Sequence, residues 1–94
     1  MKHYIIVKLV KGTDRNALIG PVQELFNGVL SIPGIHDVRV KPCCIDRSNR
    51  YDIMIEITME KEALDAYDAS EPHHEWKKNY AALIEKKTIF DSED

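Results

Sequence analysis

Three of the four histidines and one tyrosine are the residues of this chain best suited to moving a proton. His73 and His74 close the stretch Ser70-Glu71-Pro72-His73-His74, and Tyr67 stands six residues before His73. A histidine titrates near neutrality, so its neutral ring can take a proton from a carbon next to a carbonyl. A tyrosine hydroxyl can hold the carbonyl or enolate oxygen that results. His3, near the N-terminus, is a third imidazole. Each residue also has a plainer role. A histidine beside a helix end caps it or bonds a carbonyl, a tyrosine on an apolar stripe belongs to the core, and a histidine near a terminus fills space. Glu71, His73 and His74 place three metal-ligand types in four residues, but ligands so close together rarely converge, and no metal or other cofactor is expected. Cys43 and Cys44 are adjacent. A bridge between neighbours is strained, so they read as free thiols at a strand end with no functional role.

The segments that must carry these groups show in the hydrophobic period. Tyr51, Ile53, Ile55 and Ile57 alternate with polar residues, as in a strand with one buried face. From Glu60 the period becomes helical, with Ala63, Leu64 and Tyr67 on one side. Proline then turns the chain at the elbow, and Glu75–Ile84 is a helix with Trp76, Tyr80, Leu83 and Ile84 as its stripe. Before this stretch, His3–Val10 is a strand. Asn16 lies in a loose turn, and a firm helix runs from about Pro21 to Ser31, because proline suits a first turn better than a helix interior. Ile35–Cys43 is a weaker strand in which Arg39 and Lys41 fall near Glu56 and Asp52 for cross-strand pairing. Lys86–Asp91 is a short last strand, and Ser92-Glu93-Asp94 is a frayed acidic tail.

Ninety-four residues, 44% apolar and 31% charged, suit one globular domain spanning residues 1–94. A net charge of −3 with no basic face argues against a nucleic-acid partner. No apolar run approaches the roughly 20 residues that cross a bilayer, and the N-terminus enters a strand directly, so no membrane partner and a cytoplasmic location are expected.

The order strand, helix, strand, strand, helix, strand is the α+β, ferredoxin-like βαββαβ plan: a four-stranded antiparallel sheet with helices on one face. Parity assigns His3, Ile5, Val7, Val38, Val40, Tyr51, Ile53, Ile55 and Ile57 to the helix-covered side. Tyr4, Ile6, Val10 and Met54 then lie on the open side among Lys8, Arg39, Lys41 and Glu56. That apolar group, with the thin core of so short a chain, predicts a homodimer through the open face. Gly28 and Pro21 in the first helix predict incomplete closure of the covered side. The expected cavity is walled by Ile5, Val7, Phe26, Leu30, Ile53, Ile55 and Trp76, with His3, Tyr67 and His73 as its polar groups.

These segments together resemble a known family. Lys2-His3 opening the first strand, Ile32-Pro33-Gly34-Ile35, Tyr51-Asp52, Ala63-Leu64-Asp65-Ala66-Tyr67, the Pro/His elbow and Ile89-Phe90-Asp91 look like the stress-responsive dimeric α+β barrel (Dabb) domain, over nearly the whole chain. The resemblance implies two ferredoxin-like protomers packed sheet to sheet as a dimeric α+β barrel. Most bacterial members have no known function. Some plant members, the polyketide cyclases of olivetolic acid type, bind a substrate between sheet and helices and perform aldol cyclisation. The family elbow reads His-Pro-x-His, its last histidine six residues after the helix tyrosine. Counting from Tyr67 without a gap gives His73, whereas matching by the proline gives His74. Ser70 or Glu71 stands where the first histidine would be. The resemblance implies a stress-responsive barrel that binds a small hydrophobic ligand. The alternatives are a cyclase-like lyase with His73 as base and Tyr67 as oxyanion partner, or a cofactor-independent monooxygenase of similar barrel type.

Overall fold

The computed structural model describes residues 1–93; Asp94, the end of the expected acidic tail, lies outside the described residues. Strand β1 (Lys2–Leu9) leads to helix α1 (Arg15–Asn27), strands β2 (Ile35–Pro42) and β3 (Ile53–Met59), helices α2 (Leu64–Asp68) and α3 (Glu71–Tyr80), and strand β4 (Ile84–Ser92). Ser92 therefore belongs to the last strand and not to a tail. Short 3₁₀ turns extend α1 over Gly28–Ser31, precede α2 at Lys61–Ala63 and follow α3 at Ala81–Leu83.

The strands pair antiparallel in the order β2-β3-β1-β4, which is the ferredoxin-like arrangement. Alternation along β1 and β3 is complete: every second residue is buried. On the helix side, Ile5, Val7, Ile53, Ile55 and Ile57 pack under Val22, Phe26 and Val29 from α1 and its extension, and under Trp76 from α3. The weak pattern of β2 has a local cause. Its register against β3 shifts between Ile35 and Asp37, so Ile35 and Val38 both reach the core although three positions apart.

Helix α1 begins six residues before Pro21. The Asp14 carboxylate accepts from the N–H groups of Asn16 and Ala17, and that cap starts the helix early. Pro21 is then interior. It lies on the exposed side, as does Ala17 one turn earlier, where water can serve the carbonyl that proline leaves without a donor. Helix α1 also secures an outer edge of the sheet. The Gln23 amide donates to the Val38 carbonyl (3.0 Å) and accepts from the Val40 N–H (2.9 Å), taking the place of a neighbouring strand along β2.

Two residues leave the faces that parity assigns them. The backbone bends at Tyr51-Asp52, so β3 starts only at Ile53. Tyr51 turns to the open side, where its hydroxyl lies 3.0 Å from Thr88 Oγ1 and Lys86 Nζ stands over its ring. Asp52 accepts instead from the Leu9 N–H (2.8 Å) and from Arg15 (3.1 Å), tying the end of β1 to the start of α1. It makes no cross-strand pair with Lys41, which lies opposite Met54; Arg39 does lie opposite Glu56. Val10 stands beyond the end of β1, its N–H donating to the Leu83 carbonyl (2.8 Å), and so leaves the open sheet face as well. That face carries Tyr4, Ile6 and Met54, and adds Phe90, which is 59% exposed and tilted against the Tyr4 ring.

Candidate functional site

Ser70 sets the site's geometry. Its hydroxyl donates to the Tyr67 carbonyl (2.7 Å) at the end of α2 and accepts from the His73 N–H (3.4 Å) in the first turn of α3. The expected elbow is therefore a capped helix start: Ser70 is the N-cap, Pro72 sits where a proline needs no N–H, and the two histidines are helical. Glycine 28 does not leave a gap below it. A Cβ at Gly28 would lie 2.9 Å from Pro72 Cγ, so α3 rests on the backbone of α1's extension.

This joint brings Tyr67, His73 and His3 side by side. The Tyr67 ring centroid is 4.8 Å from that of His73 and 5.3 Å from that of His3. All three line a cleft of about 240 Å³ between α3 and the β1–β4 half of the sheet, with Ile5, Leu64, Asp68, Trp76, Lys77, Lys87, Ile89 and Asp91. His74 is exposed and does not line it.

The protonation states follow from the partners. His73 Nδ1 lies 2.9 Å from the Asp68 carbonyl, which can only accept, so Nδ1 carries a hydrogen and the neutral ring keeps a lone pair on Nε2. Burial lowers the His73 pKa from its ordinary value. The Asp68 carbonyl works against that, and the Lys77 ammonium adds to it. The ring is therefore neutral, and able to accept a proton, at pH 7. Burial pushes the Tyr67 phenol far above its usual range, with the Asp68 charge adding to the effect, so its hydroxyl remains a donor. That hydroxyl is buried and has no hydrogen-bond partner among the described residues. His3, 5% exposed, holds Asp91 Oδ1 2.5 Å from its Nδ1. A carboxylate oxygen accepts, so His3 Nδ1 is the donor of that contact.

Of the residues expected to wall a cavity, Ile5 and Trp76 line the cleft together with His3, Tyr67 and His73. Val7, Phe26, Ile53 and Ile55 do not. They are 0–2% exposed and pack against one another in the core, which closes the centre of the covered side. Leu30 is 42% exposed, because the α1 extension turns it outward, and it too is absent from the cleft. The opening lies instead at the β4 side, where the helices leave an edge strand poorly covered. Asp91, Lys87 and Ile89 line the cleft for that reason and were not expected there from sequence. Their signal was present: positions 87, 89 and 91 alternate, and pairing β4 with β1 sets them beside Val7, Ile5 and His3. Among the described residues no group of three or more metal-ligand side chains is gathered for a metal, and no helix is long and apolar enough to cross a membrane.

The family model described as the stress responsive A/B barrel domain matches residues 1–94. The chain belongs to this family. No curated protein sequence matches it. Among solved structures, a dimeric protein of unknown function and ferredoxin-like fold from Bacteroides fragilis superposes with a TM-score of 0.77 at 16% identity, covering 99% of this chain and 94% of that one. A dimeric ferredoxin-like protein of unknown function from Jannaschia sp. gives 0.75 at 22% identity, covering 99% and 97%. A Dabb family protein with a ferredoxin-like fold from Mesorhizobium loti gives 0.64 at 11% identity, covering 99% and 94%. At these identities the likeness is one of fold. It places this A/B barrel chain among ferredoxin-like structures and leaves its chemistry to its own cleft.

Proposed function

We propose that this chain is a single-domain, homodimeric A/B barrel protein of the cytoplasm that serves a stress response by binding a small apolar ligand in the cleft beside Tyr67. The observation that carries the reading is the Tyr67 hydroxyl. It is buried, keeps its proton, and finds no partner within the described residues. A buried donor left unpaired costs about 1–3 kcal/mol, and an oxygen on a bound ligand removes that cost. The cleft, at about 240 Å³, is smaller than the roughly 300–1,000 Å³ of sites for drug-sized molecules, so the ligand is on the scale of one substituted ring. The dimeric state of the Bacteroides and Jannaschia proteins, with the apolar open face of this sheet, supports the homodimer. The two free cysteines accord with a reducing compartment.

Salicylamide, a neutral ring bearing hydroxyl and carbonyl oxygens, tests the binding reading. Titration into isotope-labelled protein should shift the NMR signals of Trp76 and His73, and Tyr67→Phe should weaken binding about tenfold. Shifts that leave Trp76 and His73 untouched would overturn it.

A lyase of cyclase type is the second reading, favoured by one observation: the Asp68 carbonyl fixes the His73 tautomer that leaves Nε2 basic, beside a tyrosine that donates. Aldol cyclisation of a linear poly-β-ketone that disappears in both His73→Asn and Tyr67→Phe would establish this reading. Binding without turnover supports the first.

A further inference from the structure

A recess of about 490 Å³ lies on the open side of the sheet, against the loop that joins β2 to β3. Its floor is hydrocarbon. Ile6 and Met54 stand opposite each other on the open face, and Pro42 and the Tyr51 ring continue the wall. The loop is tied to the sheet by the Lys8 ammonium, which donates to the carbonyls of Ser48 (3.3 Å) and Arg50 (3.0 Å), and by the Cys43 N–H, which donates to the Asp52 carbonyl (2.8 Å). Two cations, Lys41 and Arg50, line the recess, and no carboxylate does. Lys41 makes no hydrogen bond or ion pair among the described residues, and the Arg50 guanidinium donates to the neutral amide oxygen of Asn49 (2.8 Å). We propose that this recess binds an aliphatic carboxylate, its chain on Ile6, Pro42 and Met54 and its charged end at Lys41 and Arg50. The site is separate from the Tyr67 cleft and stands or falls apart from the binding reading given above.

The carboxylates on neighbouring segments are turned elsewhere. Asp52 pairs with Arg15, Asp37 pairs with Arg39, and Asp46 lines a separate polar hollow beside the start of α1. Glu56 stands opposite Arg39. Charge also separates the proposed occupant from a second copy of the chain, which an apolar floor alone would suit equally. Lys2, Lys8, Arg39, Lys41 and Lys86 share the open face with Asp37 and Glu56, so a second copy brings the same excess of cations. Covering Lys41 in that way buries a charge without a partner, which is costly. An anion supplies the partner, and the planar fork of Arg50 matches a carboxylate. The volume of about 490 Å³ falls within the roughly 300–1,000 Å³ of small-molecule sites, which that of the Tyr67 cleft does not.

Octanoate, octanol and acetate separate the chain from the charge. In calorimetric titration at low salt, wild type should bind octanoate at least about tenfold more tightly than octanol or acetate. Lys41→Met with Arg50→Met should bring octanoate down to the affinity of octanol, whereas Lys78→Met, on α3 across the sheet, should leave the preference intact. Cys43 lines the same recess, so bound octanoate should slow its modification by the neutral reagent N-ethylmaleimide several-fold. Equal affinities for octanoate and octanol in wild type, binding that leaves Cys43 as reactive as before, or a preference that survives in the double variant would overturn the proposal. So would a wild type that binds no octanoate, in which case a two-chain mass in light scattering assigns the recess to a second copy. Failure of salicylamide to bind bears on the Tyr67 cleft alone.

Discussion

Tyr67 carries a cost to folding on the atom that the proposed ligand would meet. Its hydroxyl is buried without a partner, so Tyr67→Phe should stabilise the empty protein by about 1 kcal/mol, raising its thermal midpoint by several degrees. A variant that melts at a lower temperature would show that the hydroxyl already has a partner. His73 adds a dependence on pH. Its folded pKa is depressed by burial, so the unfolded chain takes up the proton first, near the ordinary value of about 6.5. The stability this contributes is complete above that value and is lost as pH falls through the lower, folded pKa. Wild type should therefore lose more urea resistance between pH 7.5 and pH 5 than His73→Asn does, and identical losses would contradict this assignment. Tyr67, His73 and His3 were legible in the sequence because residue type and spacing mark them. Asp91 and Lys87 were not, since their membership depends on which strand lies beside β1, and that pairing is a property of the fold.

Helix α3 meets the extension of α1 closely where Pro72 lies over Gly28. Gly28 has ordinary helical dihedrals, so backbone freedom does not require glycine there; the neighbouring ring does. Gly28→Ala should destabilise by about 1–2 kcal/mol, the overpacking penalty less the small helical advantage of alanine. Pro72→Ala in the same chain should recover part of the loss, and a double-mutant cycle from urea unfolding measures the coupling. Additive effects would mean that the two residues do not press on one another. The order of elements was readable throughout, but helix starts were misplaced wherever proline was given too much weight. At Pro21 an aspartate cap outweighed it, and at Pro72 a serine cap turned an apparent elbow into a first turn. The parity of β3 could be carried back only to Ile53, because Asp52 is drawn to Arg15 and the chain bends there.

The whole molecule has one face of its sheet closed by helices and one left open. Phe90, on the edge strand β4 beside Tyr4, is the most exposed large hydrophobic residue among the described residues. A second copy packed on that face would bury it. Light scattering at micromolar concentration should return the mass of two chains, and Phe90→Asp should return the mass of one, because an aspartate there would be desolvated without a partner. A wild-type protein of single-chain mass would exclude the dimer. The Tyr67 cleft lies on the opposite side of the sheet, so ring-sized ligands should still enter it in the monomeric variant.

Trp76 is the sole tryptophan of the chain. It is 2% exposed, held edge-on to Phe26 and tilted against Tyr80, and it forms part of the wall of the Tyr67 cleft. The protein consequently carries its own optical gauge, without a label or an engineered reporter. Unfolding moves the indole from hydrocarbon to water and its emission toward the red. A ring bound in the cleft as proposed should change the brightness of the same signal while the core stays shut. Colour would then report on the fold and intensity on occupancy, both read from one side chain.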